Sequence, residues 1–252
     1  MSFSGKDSQS GVVSQSSSVD SGRGVKGTLI SWFRDAVEVM VTVAVILVVL
    51  RLALGADMLV PLVVVTSGSM EHHVGDLTWR TWLLDRNVSG VDGFPLTSGF
   101  QRGDMIVVKS PDAHLGDVVI YQRDLDHIGF PLGREPIIHR VVGVVSVKDG
   151  VVAGWGGTLD CFKPDDFAQF ISKVDDCREG KRCVYPSFPS GKEYSFFITK
   201  GDNNEATDQC SGRFEISYPV TESQVTGRGF FRIPYVGYIK LAMNFLFMPF
   251  SV

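Results

Sequence analysis

The chain has no Cys-x-x-Cys pair and no zinc-ligand spacing among its five histidines, although it carries four cysteines, Cys161, Cys177, Cys183 and Cys210. A structural metal is therefore not expected, and no cofactor is called for. It also lacks a field of one charge, because 24 basic and 28 acidic residues are spread along its length for a net charge of -4. That balance argues against nucleic acid or a strongly acidic substrate as partner. No Gly-x-Ser-x-Gly elbow occurs, which argues against an α/β-hydrolase. Large apolar side chains are almost missing from residues 1–26, a Ser- and Gly-rich stretch that cannot bury enough surface to offset its ordering entropy. This stretch reads as a disordered tail.

What is present is one long apolar segment and a set of short ones. In a chain of 252 residues, 44% hydrophobic and 21% charged, one principal core is expected. From Leu29 to Val37, apolar residues alternate with Arg34 and Asp35 at a spacing that suits an interfacial helix. Val39 to Leu50 holds twelve residues with nothing more polar than Thr42, too few to cross a hydrocarbon core about 30 Å thick. Continuing to Ala56 gives about 27 Å, with Arg51 near enough to the far end to snorkel to the headgroups. Residues 27–58 are thus expected to form a lead-in and a single transmembrane helix.

Arg23, Lys26 and Arg34 precede that helix, so the positive-inside rule keeps the N-terminus cytoplasmic and carries the rest across the membrane. Ala53-Leu54-Gly55-Ala56 offers the rival reading of a cleaved signal peptide. Its leading region would be long and would contain Asp7, Asp20, Asp35 and Glu38, unlike a short basic one. The four cysteines all lie in the segment expected outside the membrane, where disulfides persist. One or two bridges among three pairings, or four buried thiols, both fit.

Beyond the anchor the period changes. Leu59 to Thr66, Asp104 to Lys109, Asp117 to Tyr121, Ile137 to Val147, Tyr194 to Lys200 and Gly227 to Ile233 are β-branched-rich runs bounded by turn residues. A mainly β domain over residues 59–232 follows, with a central strand pair expected at 137–147 turning near Gly143 and with no strong amphipathic helix. Insertions are expected at about 78–100, where Asn87-Val88-Ser89 is a glycosylation sequon, and at 149–191, a Cys-, Pro- and Asp-containing loop or cap. Residues 233–252 are apolar apart from Lys240 and Asn244, and Pro234, Gly237 and Pro249 favour a membrane-surface helix over a second span.

Five blocks occur in order behind the anchor. They are Thr66-Ser67-Gly68-Ser69-Met70-Glu71, Arg102-Gly103-Asp104-Met105, Gly116-Asp117-Val118-Val119-Ile120-Tyr121, Ile137-Ile138-His139-Arg140 and Thr199-Lys200-Gly201-Asp202-Asn203-Asn204. A small-residue strand end is usually only a turn, and a histidine on a core strand is often only packed. The ordered set nevertheless resembles the type I signal peptidases, and more narrowly the branch of archaea and the endoplasmic reticulum. Arg232-Ile233-Pro234-Tyr235-Val236-Gly237-Tyr238 resembles that family's closing segment.

The resemblance implies a signal-peptidase-like β catalytic domain, with Ser69 as nucleophile, His139 as general base and Asp208 as the carboxylate that fixes the base. Asp202 would support the site as a hydrogen bonder or merely shape a turn. The oxyanion would be met by the Ser69 N–H and the Ser67 hydroxyl. A serine hydroxyl needs such a base at neutral pH, and a neutral imidazole suits the task. The substrate would add as a strand beside the one ending at Thr66, with Met105 to Lys109 opposite, and shallow pockets would favour small residues at the cut. Preprotein signal peptides, membrane lipid and the secretion translocon are the partners implied.

Glu71-His72-His73 departs from the family, which has proline soon after the methionine, and both histidines read as solvated loop residues. Two other classes compete: a catalytically silent relative that holds preproteins, and a self-cleaving repressor-type protease. Retention of Ser69, His139 and Asp208 argues against the first, and the anchor with His139 in place of lysine against the second.

Overall fold

The computed structural model describes residues 23–55, 60–72, 78–124, 136–210, 218–239 and 242. Residues 1–22 of the expected tail, His73 and most of the C-terminal apolar segment lie outside the described residues, whereas residues 23–26, expected in that tail, belong to the first helix. The chain divides into two units, Met1–Ile46 and Leu47–Val252.

The first element is a continuous helix, α1, Arg23–Leu54, so the expected lead-in and anchor are one element. Its Leu29–Leu54 portion, 26 residues, is long and apolar enough to cross a membrane. Within it Thr42 Oγ1 donates to the Glu38 carbonyl at 2.8 Å, and Arg34 and Asp35 pair at 3.7 Å.

The remainder is mainly β, an antiparallel half-barrel. Its strands are β1 Leu62–Val64, β2 Met105–Lys109, β3 Val118–Tyr121, β4 Ile137–Lys148, β5 Val151–Gly157, β6 Glu193–Lys200, β7 Val220–Thr221 and β8 Val225–Ile233. They run in the order β1-β2-β8-β3-β4-β6-β7, with β5 paired to β4. β1 therefore ends the sheet, and β2 is enclosed between β1 and β8.

Two expectations are corrected here. β4 does not turn at Gly143: it continues to Lys148, and the chain reverses at Asp149 and Gly150, both of positive φ, into β5. Gly143 is instead a point of close approach, since a Cβ there would stand 2.0 Å from the Thr158 carbonyl oxygen. The second insertion is not a plain loop. It holds β5 and an amphipathic helix, α3, Phe167–Arg178, whose Phe167, Phe170, Ile171, Val174 and Cys177 are buried. These repeat at three and four residues and lay one stripe against Phe196, Val145 and Val147 of the sheet. Each such apolar side chain contributes about 1.5–3 kcal/mol by leaving water.

The first insertion contains a short helix, α2, Thr78–Leu84, with Trp79 and Leu83 buried in the same core. Both insertions thus cover one face of the sheet. All four cysteines are paired, Cys161 with Cys210 and Cys177 with Cys183, which decides between bridges and thiols. Asn87 and Ser89 of the sequon are exposed.

Candidate active site

Pleating assigns the site residues to two faces. Successive side chains on a strand point to opposite sides, and residues diagonal across a pair on one face are still within reach. His139 on β4 pairs with Val119, so Tyr121, which pairs with Ile137, lies diagonal to it on the same face. Thr199 on β6 pairs with Val141 and takes the diagonal position on the other side. Arg140 and Lys200, the following residues, pair with each other and face the opposite way.

On the first face stands a hydrogen-bonded chain. His139 Nε2 is 2.9 Å from Ser69 Oγ, and His139 Nδ1 is 2.7 Å from Asp208 Oδ2. The same carboxylate oxygen accepts from Tyr121 OH at 2.9 Å and Thr199 Oγ1 at 2.7 Å. Thr199 in turn accepts from Gln209 Nε2 at 3.2 Å. Burial, then the Asp208 charge, pushes the Tyr121 phenol well above its usual range, so it remains a donor. His139 and Asp208 are buried and Ser69 is partly exposed.

With Nδ1–H committed to a carboxylate, His139 presents Nε2 as the acceptor of a serine proton. In that tautomer the imidazole can take the Ser69 hydroxyl proton, the chemistry a serine nucleophile requires. Ser67 Oγ lies 3.2 Å from Ser69 Oγ, on the solvent side, within reach of an oxyanion formed at Ser69.

Asp202 does not touch His139. On the second face it grips Arg140, taking Nε at 2.9 Å and the second guanidinium nitrogen at 2.7 Å, and meets His72 Nε2 at 3.0 Å. Burial alone would raise its carboxyl; the Arg140 charge and the hydrogen bonds from His72 and Arg140 prevail and hold it down to about 2. Arg140 is fully buried and also donates to the carbonyls of Pro95, Gly116 and Leu96.

Lys200, also buried, donates to the carbonyls of Gly201 at 3.0 Å and Asp202 at 3.3 Å. Burial lowers its pKa to about 8. The two cations stand over two indoles of the first insertion, Arg140 over Trp79 and Lys200 over Trp82, each 4.8 Å from the ring centre. Such contacts offset part of the cost of burying charge.

The Gly201–Asn204 turn braces Ser69 directly. Asn203 N–H donates to the Ser69 carbonyl at 2.8 Å, and its side-chain amide donates to that of Gly68 at 3.0 Å. A Cβ at Gly201 would stand 2.7 Å from the Ser69 carbonyl oxygen, so this approach requires glycine.

The insertions secure the acidic loop from behind. Asp160 accepts from Thr207 Oγ1 at 2.8 Å, Cys161 is bridged to Cys210, and Trp82 Nε1 donates to the Glu205 carbonyl at 2.9 Å.

His72 corrects the sequence reading. Far from solvated, its side chain is 9% exposed and stacks on Trp79. Tyr121, Thr199, Lys200, Arg140 and His72 had no assigned roles in the sequence. Only strand register brings the first three to the site, since they lie on β3 and β6 and meet β4 through pairing. Compared with family models, curated proteins and solved structures, the chain matches none.

Proposed function

We propose that the chain is a membrane-anchored serine endopeptidase of the type I signal peptidase kind, which removes N-terminal signal peptides from secreted preproteins. The observation that carries this reading is the Ser69, His139 and Asp208 chain, closed at 2.9 and 2.7 Å, in a protein with, among the described residues, one helix long and apolar enough to span a membrane. In the proposed reaction Ser69 Oγ attacks the scissile carbonyl as its proton passes to His139 Nε2. That proton then goes to the leaving amine as the C–N bond breaks. A water molecule, deprotonated by His139, hydrolyses the acyl ester and restores the serine. Asp208 stabilises the imidazolium throughout.

Two further observations support the reading. β1 runs toward Ser69 and, among the described residues, no strand pairs with its outer edge, so a substrate has a strand to add to there. Phe230, Phe231, Tyr235, Tyr238 and Ile239, near the end of β8, are each exposed, and aromatic side chains of this kind are enriched at membrane interfaces. The catalytic domain would work on the extracytoplasmic side, the N-terminus being cytoplasmic by the charges before α1.

The test is to incubate the detergent-solubilised full chain with a preprotein and determine product masses. A single cut after a small residue at the end of the signal peptide is expected. An intact preprotein, or cuts scattered through the mature region, contradicts the proposal.

A further inference from the structure

His72 follows the nucleophile by three residues and sits where the described face of the first insertion meets the Asp202 turn. Its Nδ1 is 3.0 Å from the Thr97 carbonyl oxygen, and its Nε2 is 3.0 Å from Asp202 Oδ2. Both partners only accept hydrogen bonds, so both bonds form only when both ring nitrogens carry protons. The ring lies flat against Trp79, with centroids 5.4 Å apart and planes at 14°. Gly99 packs close to the ring as well, since a Cβ there would stand 2.6 Å from His72 Cγ. The pocket therefore fixes both the place and the direction of the imidazole.

What His72 holds is the geometry around Ser69. Next to it, the Met70 carbonyl accepts from Phe100 N–H at 2.8 Å, and Met70 Sδ receives the Asp202 N–H at 3.3 Å. Asp202, shared between His72 and Arg140, joins the residue three places after the nucleophile to the residue next to the base. A lapse at His72 would remove its tie to the Asp202 carboxylate, which also holds Arg140, and loosen the alignment of Ser69 while the Asn203 contacts and the sheet stay intact.

We infer that His72 is a positioning residue of the proposed peptidase: as a double hydrogen-bond donor between Thr97 and Asp202, it holds Ser69 in register with His139. This rests on the hydrolytic reading of the site. The residue bears on catalysis through alignment alone, and misplacement of a nucleophile by about 1 Å can cost about 10²-fold in rate.

Two measurements on the full-length chain in detergent test it. With an internally quenched peptide carrying a small residue at the cut, His72→Phe, which keeps the stack on Trp79 and loses both donors, is expected to lower kcat by about 10- to 10²-fold with KM little changed. His72→Gln, which restores one donor toward Asp202, is expected to recover part of that loss. Unchanged kcat in both variants, or a loss confined to KM, overturns the inference.

The second measurement needs no substrate. In histidine-selectively ¹⁵N-labelled protein, with His72 assigned by its disappearance in His72→Phe, each ring nitrogen is expected to show a directly bound proton, as its two acceptors require. A ring with one bare nitrogen overturns the double-donor role. A wild-type chain that fails to cleave any peptide yet shows the doubly protonated ring would refute the peptidase reading and leave the clamp standing.

Discussion

Asp202 and Asp208 lie in one loop yet serve opposite faces of the sheet, because His139 and Arg140 are neighbours on a pleated strand. Their substitutions should therefore fail differently. Asp208→Asn keeps the shape and offers His139 the wrong partner, so kcat should fall by up to about 10⁴ with little change in stability. Asp202→Asn leaves the buried Arg140 guanidinium without its countercharge and should cost about 3–5 kcal/mol in urea unfolding. The opposite pattern would make Asp202 the partner of the base.

Lys200 gives a prediction in pH. Its folded pKa of about 8 lies below the unfolded value of 10.5, so between these values the unfolded chain binds more protons than the native one. The penalty for burying its ammonium is fully present below about pH 8 and is relieved as pH rises toward 10.5. The melting temperature of wild type relative to Lys200→Met should accordingly rise from pH 7 to pH 9.5, and a constant difference would show that the lysine titrates normally.

Among the elements, the strands were legible because β-branched runs with bounding turn residues have few alternatives. α3 was not, although Phe167, Phe170, Ile171, Val174 and Cys177 follow a helical period. The surrounding Asp, Pro and Cys residues gave that stretch the composition of a loop and obscured the stripe. Gly143 misled in a similar way, since nothing local says that a glycine inside a strand is making room for the Thr158 carbonyl rather than turning the chain. Ser69, His139 and Asp208 could be picked out from ordered blocks, whereas His72 could not, because its partners Trp79, Thr97 and Asp202 come together only through the fold of the first insertion.

That fold makes the insertions working parts, and the bridges separate their contributions. Cys161–Cys210 closes 49 residues and ends two residues beyond Asp208, while Cys177–Cys183 closes 6 within the second insertion. On chain entropy, Cys161→Ala/Cys210→Ala should lose about 4 kcal/mol and Cys177→Ala/Cys183→Ala about 2 kcal/mol. Only the first pair should also lower kcat, since it alone holds the loop that carries Asp208. Equal kcat in the two double variants would show that the bridge contributes stability alone.

At the scale of the whole molecule, the proposal requires that the β domain cross the membrane while the N-terminus stays behind. Asn87-Val88-Ser89 offers a direct readout, because Asn87 and Ser89 are exposed at the end of α2. Synthesised with microsomes, the chain should gain an endoglycosidase-sensitive mass that Asn87→Gln abolishes. A chain left unmodified with its N-terminal tail protected in the lumen would invert the topology.

The central claim is that Ser69, activated by His139, cuts preproteins. Its most direct measurement is preprotein cleavage by the full-length wild-type chain beside Ser69→Ala, both shown by melting temperature to be folded. The account predicts one cut after a small residue in the wild type and no detectable product from the Ala variant, since what binding and oxyanion contacts alone supply is about 10³–10⁴ over water. Processing by Ser69→Ala at the wild-type rate would contradict it.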